Sequence, residues 1–233
     1  MTTQSVSFMH DLESRYRQKS GLADRSQYKI FYGLVRPAPI LALGINPGGD
    51  PANMLPDGVR HLDGPQVGAA SSGFYENNEC DLLDCGWREN NVLNLLLPLV
   101  SGSRDRIRNE VVKTNMAFRR SKHAPKTKVG QWMNEAAPFL AEIIKFVRPR
   151  LILLTGVKLE DFNARYAVNC EIQDRTLRED SINQTVFAAE RVNLKSGYRS
   201  VAVQVAHASQ FSWTYDKYNV PRHIQELLAP HSL

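Results

Sequence analysis

Ile40-Leu41-Ala42-Leu43-Gly44-Ile45-Asn46-Pro47-Gly48-Gly49-Asp50 passes from an unbroken apolar run directly into a turn of proline and glycine. A short apolar run bounded by chain breakers predicts a strand buried on both faces, the kind found in parallel sheets. Pro47 fixes its own φ and removes a donor, while the glycines permit left-handed angles and close approach of a ligand. Asn46 therefore stands at a strand end with a carboxamide that can donate and accept. A plain strand-to-loop turn, with Asn present for its turn preference, explains the same residues. No Walker lysine or G-x-G-x-x-G run accompanies the turn, which argues against the common phosphate loops.

The signal recurs along the chain. Glu110 to Phe118 reads as a second strand, and Leu151-Ile152-Leu153-Leu154, running into Gly156, as a third. Val186 to Leu194 and Tyr198 to Ala206 read as two more, joined by a turn at Lys195-Ser196-Gly197. Between them lie helical patterns, the longest carrying Trp132, Ala136, Phe139, Leu140, Ile143, Ile144 and Val147 and ending at Pro149. Others cover Leu82 to Leu97, Leu159 to Tyr166 and Val220 to Leu228. Val6, Met9, Leu12 and Tyr16 mark one N-terminal helix; Tyr28, Phe31, Tyr32 and Val35, beyond Gly21, mark a second, giving a helical segment over about 1–36. Asn46 to Glu79 lacks periodicity and reads as a long loop, a length often tied to function. Strands alternating with helices predict one α/β domain over 1–233, with a mostly parallel sheet covered on both faces.

Composition narrows the class. The chain has 233 residues, 29 Lys/Arg against 24 Asp/Glu for a net +5, 42% hydrophobic and 23% charged residues. These values exclude a disordered tail, a coiled coil and a disulfide-stapled mini-protein. Cys80, Cys85 and Cys170 are too few for a four-thiolate metal or iron–sulfur site. No signal peptide is read at the N-terminus, and no stretch approaches the roughly 20 apolar residues of a bilayer span. A cytoplasmic chain without membrane association is the expectation.

Ligands of open parallel sheets bind beyond the carboxyl ends of the strands. Three polar runs fall there: Gly44 to Asp50; Thr114 and Asn115 followed by Arg119-Arg120-Ser121-Lys122-His123; and His207-Ala208-Ser209-Gln210-Phe211. A strand ending in G-I-N-P-G together with a late strand ending in H-x-S resembles the uracil-DNA glycosylase superfamily. The first run is similar to the motif of the mismatch-specific and single-strand-selective branches. The second is similar to the H-P-S loop of the classical and single-strand-selective branches, with Ala208 in place of proline. The resemblance spans about Ile40 to the C-terminus, and it implies a three-layer α/β/α sandwich around a central, mostly parallel four-stranded sheet.

The resemblance also implies a monofunctional DNA glycosylase: it flips uracil or a modified pyrimidine from the stack and hydrolyses its N-glycosidic bond, leaving an abasic site. Asn46 would hold the attacking water, and His207 would donate to the base O2 as the pyrimidine leaves as an anion. Phe74, Tyr75, Ile45 and Asn115 would bind the base. Pro47, Gly48, Ser209, Gln210, Arg119, Arg120 and Lys122 would contact DNA, with Phe211 as the wedge that fills the vacated gap. Blander roles stay open: His207 as a packed strand-end histidine, Asn115 as a backbone-satisfying Asn, Phe211 as a ring against Trp213. No metal or cofactor is expected, and a monomer is. The motifs contain no obvious amine nucleophile, Lys113 being the nearest lysine.

Two departures bear on the substrate. The loop between Asn46 and Phe74 is longer than the family's, and glycine stands where the classical branch places the tyrosine that excludes thymine. Both admit an alternative, excision of a bulky modified base in foreign (phage) DNA. From Arg104 to Lys128 nine basic residues face two acids, a local +7. That run reads either as a solvated face or as a loop tracking a phosphate backbone. A non-catalytic nucleic-acid-binding module is the alternative of another class, and a small-molecule hydrolase is a third.

Overall fold

The computed structural model describes residues 2–47, 90–121, 127–172, 176–207, 211 and 213–229. Helices are α1 (Thr2–Ser20), α2 (Asn90–Leu99), α3 (Arg104–Glu110), α4 (Val129–Val147), α5 (Leu159–Tyr166), α6 (Trp213–Lys217) and α7 (Val220–Leu228). Strands are β1 (Ile40–Gly44), β2 (Val111–Asn115), β3 (Leu151–Thr155), β4 (Ala167–Ile172), β5 (Leu177–Glu179), β6 (Gln184–Leu194) and β7 (Arg199–Val205). The molecule is an α/β protein with one mixed sheet of order β2-β1-β3-β7-β6-β4, to which β5 adds by pairing with β6.

The pairs β1·β2, β1·β3 and β3·β7 are parallel, in register Ile40 with Val111 and Leu151, and Leu151 with Val201. From β7 outward the pairing turns antiparallel. Alternate residues of β1 enter two separate apolar clusters: Leu41 and Leu43 join α1, α4 and α5, while Ile40 and Ala42 join α2, α3 and α7. Period-two alternation therefore feeds a core on each face of the sheet. The chain moves from β1 to β2 past α2 and α3, then reverses past α4 to reach β3 on the other side of β1. Reversing direction along a sheet while keeping one crossover hand puts the two sets of helices on opposite faces. The reversal occurs around β1, so the crevice lies beyond Gly44.

Several expectations change. The sheet has seven strands rather than four, because the β6–β7 hairpin continues into β4 and β5. β4 lies at the edge with Val168 exposed, so it carries no buried alternation for the sequence to display. The second N-terminal helix does not form. Ile30 and Leu34, off its supposed apolar face, are buried with Tyr28, Phe31 and Val35. Burial all round, rather than on one stripe, is what an irregular segment threaded along the edge of β2 requires; Lys29 N donates to Phe118 O at 2.9 Å and Thr114 Oγ1 to Ile30 O at 2.5 Å. Arg104–Glu110 is a helix, not a loop, capped by Ser103 and braced by Arg106 against Glu110. β2 ends at Asn115, yet Met116 N and Ala117 N still donate to Gly44 O and Ile45 O at 2.8 and 2.9 Å. No helix among the described residues is long and apolar enough to cross a membrane.

Candidate functional site

The carboxyl ends of β2, β1, β3 and β7 stand side by side, and they carry Asn115, Asn46, Thr155 with Gly156, and His207. Adjacent strands lie about 4.8 Å apart, so Asn46 and His207, two strands from one another, are separated by roughly 10 Å at their backbones. The three polar runs read from the sequence do meet at one end of the sheet.

Asn46 is held through its nitrogen. Nδ2 donates to Ser121 Oγ at 2.9 Å, Pro47 O at 3.1 Å and, at longer range, Arg119 O at 3.4 Å. Backbone carbonyls only accept, so this environment fixes which end of the amide is nitrogen. Oδ1 is left with no partner among the described residues, an acceptor suited to a water molecule. Pro47 O also receives Ser121 N at 3.3 Å, which ties the turn after β1 to the segment after β2.

Asn115 is 3% exposed and donates from Nδ2 to the hydroxyl of Tyr32 at 2.8 Å. Its Oδ1 crosses over Gly44, where a Cβ would come within 2.5 Å of it. Gly44 is thus a space requirement, since any side chain there would push Asn115 out. Thr155 Oγ1 donates to Leu43 O at 3.1 Å and locks the end of β3 to β1.

The same device recurs at β3. Gly156, at φ +70°, leaves the space taken by the His207 ring, whose Cδ2 would lie 2.5 Å from a Cβ there. Gly156 N donates to Val205 O at 3.0 Å, so the turn after β3 is fastened to β7 just before His207. His207 is half-buried; its carbonyl receives Phe211 N at 2.9 Å, while Tyr215 OH holds the preceding Ala206 O at 2.6 Å.

Other expected site residues fare differently. Ile45 packs partly buried against the apolar cluster of α1 and α4. Arg119 forms a two-pronged pair with Glu135, at 3.0 and 2.7 Å, and donates to Ser20 O. Glu135 in turn receives Tyr16 OH, and burial pushes that phenol well above its ordinary pKa. Arg120, 9% exposed, donates from Nε to Arg25 O and Tyr28 O. Both guanidinium groups fasten the segment after β2 to the N-terminal region, which leaves little of either for a phosphate. Phe211 is half-buried, whereas Trp213 is 45% exposed with Lys217 Nζ 5.5 Å from its ring centre. Gly48, Phe74, Tyr75, Lys122, Ser209 and Gln210 lie outside the described residues.

Compared with known families and with curated proteins, the chain matches no family model and no curated sequence. The site is therefore weighed on its own chemistry. It contains two carboxamides tethered by nitrogen, an imidazole seated on a glycine, and a hydroxyl-lined strand end between them. Among the described residues no cluster of three or more His, Cys, Asp or Glu side chains could hold a metal ion.

Sequence reading missed Tyr32, Ser121 and the spatial role of Gly44 and Gly156. The two glycines had a signal, a breaker directly after an apolar strand. Tyr32 and Ser121 had none, since they meet Asn115 and Asn46 across 83 and 75 residues of chain.

Proposed function

We propose that the chain is a monofunctional DNA glycosylase acting on uracil or a modified pyrimidine, with Asn46 and His207 as its catalytic residues. The observation that carries the reading is Asn46: its nitrogen is tied to two backbone carbonyls and Ser121, and its oxygen is left to accept from a ligand. Cleavage of an N-glycosidic bond leaves the sugar cation-like, so water needs positioning more than it needs a strong base. An amide oxygen held by its own nitrogen supplies that. Charge develops in the opposite sense on the departing pyrimidine, and a donor on the far side of the bond stabilises it. His207 stands across β3 from Asn46 and supplies an N–H for O2 of the base.

Support from the fold is coarser. The parallel pairs β2·β1·β3·β7 and the apolar clusters on both sheet faces suit a three-layer α/β/α sandwich of the glycosylase kind, extended here by antiparallel strands. DNA as partner follows from the chemistry proposed.

The test is abasic-site formation in oligonucleotides carrying uracil, hydroxymethylcytosine or glucosylated hydroxymethylcytosine. One of these should be cleaved by the wild-type chain. Asn46→Ala and His207→Ala should each lower its rate about 100-fold or more with an unchanged melting temperature, as loss of a positioned catalytic group does. Full activity in either variant rejects the mechanism. DNA binding without abasic sites on any of the three substrates favours a binding module instead.

A further inference from the structure

Asn115 presents a buried acceptor with nothing to accept from. The side chain is 3% exposed, its nitrogen is bound to Tyr32, and Oδ1 has no hydrogen-bond partner among the described residues. A buried polar atom of that kind is costly to keep. It lies at the mouth of the crevice beside Gly44, where a ligand would arrive.

Tyr32 sets which end of the amide faces that crevice. It belongs to the irregular segment along the edge of β2 and is 5% exposed. Lys29 Nζ lies 4.3 Å and Lys113 Nζ 4.1 Å from the centre of its ring, distances at which an ammonium is held by the π face. Lys113 precedes Asn115 by two residues on β2, so both point to the same side of the strand. The phenol therefore lies along that side, its ring on one residue and its hydroxyl on the other.

We infer that Tyr32 is a positioning residue: it holds Asn115 by its nitrogen so that Oδ1 selects a pyrimidine presenting an N–H donor. This deepens the glycosylase reading and rests on it for the identity of the ligand, though the strut itself does not. An imide N–H satisfies Oδ1, whereas a base methylated at that nitrogen leaves Asn115 unpaired. Sites built around a hydrogen bond reject analogues lacking the group strongly, for that reason. Lys29 and Lys113 act one step further back, keeping the ring in place.

Two measurements test the inference. In 15N-labelled protein, one Nδ2 proton of Asn115 should exchange slowly with solvent, and it should become fast in Tyr32→Phe, which keeps the ring and loses only the hydroxyl. Fast exchange of both protons in the wild-type chain, or no change on substitution, overturns the strut. This readout needs no substrate, so it stands even if no base is excised. Should Tyr32→Phe not fold, the wild-type exchange pattern decides alone.

The second measurement is excision from DNA carrying the cleaved base. Tyr32→Phe should lower kcat about tenfold, the scale of one well-placed hydrogen bond. In an Asn115→Ala background it should do nothing further, because the residue it acts through is gone. Independent, multiplying losses would show that Tyr32 acts elsewhere. With a 3-methyluracil substrate, Asn115→Ala should make no difference to the rate, and a large loss there overturns the assignment of Oδ1 to the base N–H.

Discussion

Gly156 combines two demands that can be separated by experiment. Its φ of +70° is left-handed, and the missing Cβ makes room for the His207 ring. Gly197, in the β6–β7 turn, has φ +86° with nothing within 4 Å of a would-be Cβ. Gly197→Ala should therefore lose only the backbone term, roughly 1–2 kcal/mol, with excision intact. Gly156→Ala should lose at least as much stability and also displace His207, so turnover falls with it. Chemical denaturation and abasic-site assays on the two variants separate strain from displacement. Equal activity in both would show that His207 does not need its seat. Asn46 and His207 were legible in the sequence because each follows an apolar strand and a turn residue, a purely local pattern. Tyr32 and Ser121 were not, because a hydrogen bond to a residue more than 70 positions away leaves no periodic trace.

At the scale of elements, the helix behind the His207 segment is pinned by one carboxylate. Glu179, at the end of β5, receives Lys217 Nζ, Tyr218 OH at 2.9 Å and Ser181 Oγ at 2.8 Å. These bonds, Lys217 foremost, hold its pKa down at about 2 from an ordinary 4.5. A carboxyl whose folded pKa is depressed stabilises the fold at pH values above its unfolded pKa. That contribution fades as pH falls from about 4.5 through about 2. Glu179→Gln should melt below the wild type at pH 7, and the gap should close as the pH is lowered toward 2.5. A gap that stays constant with pH would mean that the carboxylate charge is not what holds α6. β5 itself was invisible to sequence reading, since three residues with one buried side chain carry no period. The long helix α4 was legible for the opposite reason: Met133, Ala136, Phe139, Leu140, Ile143, Ile144 and Val147 are all buried on one stripe. An αL residue, Arg148, ends it immediately before Pro149.

Over the whole molecule, charge read along the chain and charge available in space diverge. The run from Arg104 to Lys128 carries +7, but much of it is spent internally. Arg106 pairs with Glu110, Arg108 with Asp105 and Arg119 with Glu135. Arg120 binds backbone carbonyls, and Lys113 is 8% exposed beneath Tyr32. Partners such as Glu135 come from outside the run, which is why a count within it overstates the free charge. The topology was recoverable because strand burial is local; the electrostatics were not, because pairing is tertiary. For the proposed DNA complex this has a measurable consequence. Each phosphate neutralised by a protein cation adds about 0.9 to the slope of log K against log salt. Arg119→Ala should therefore leave the slope for oligonucleotide binding within about 0.3 of the wild type, while removing a charged, partly buried hydrogen-bond pair and about 2 kcal/mol of stability. Titrations by fluorescence anisotropy from 50 to 200 mM salt, about the range over which such contacts are lost, read the first quantity, and urea unfolding reads the second. A slope shallower by nearly a full unit with unchanged stability would instead put Arg119 on a phosphate and make its bond to Glu135 the resting state of a contact that opens toward DNA.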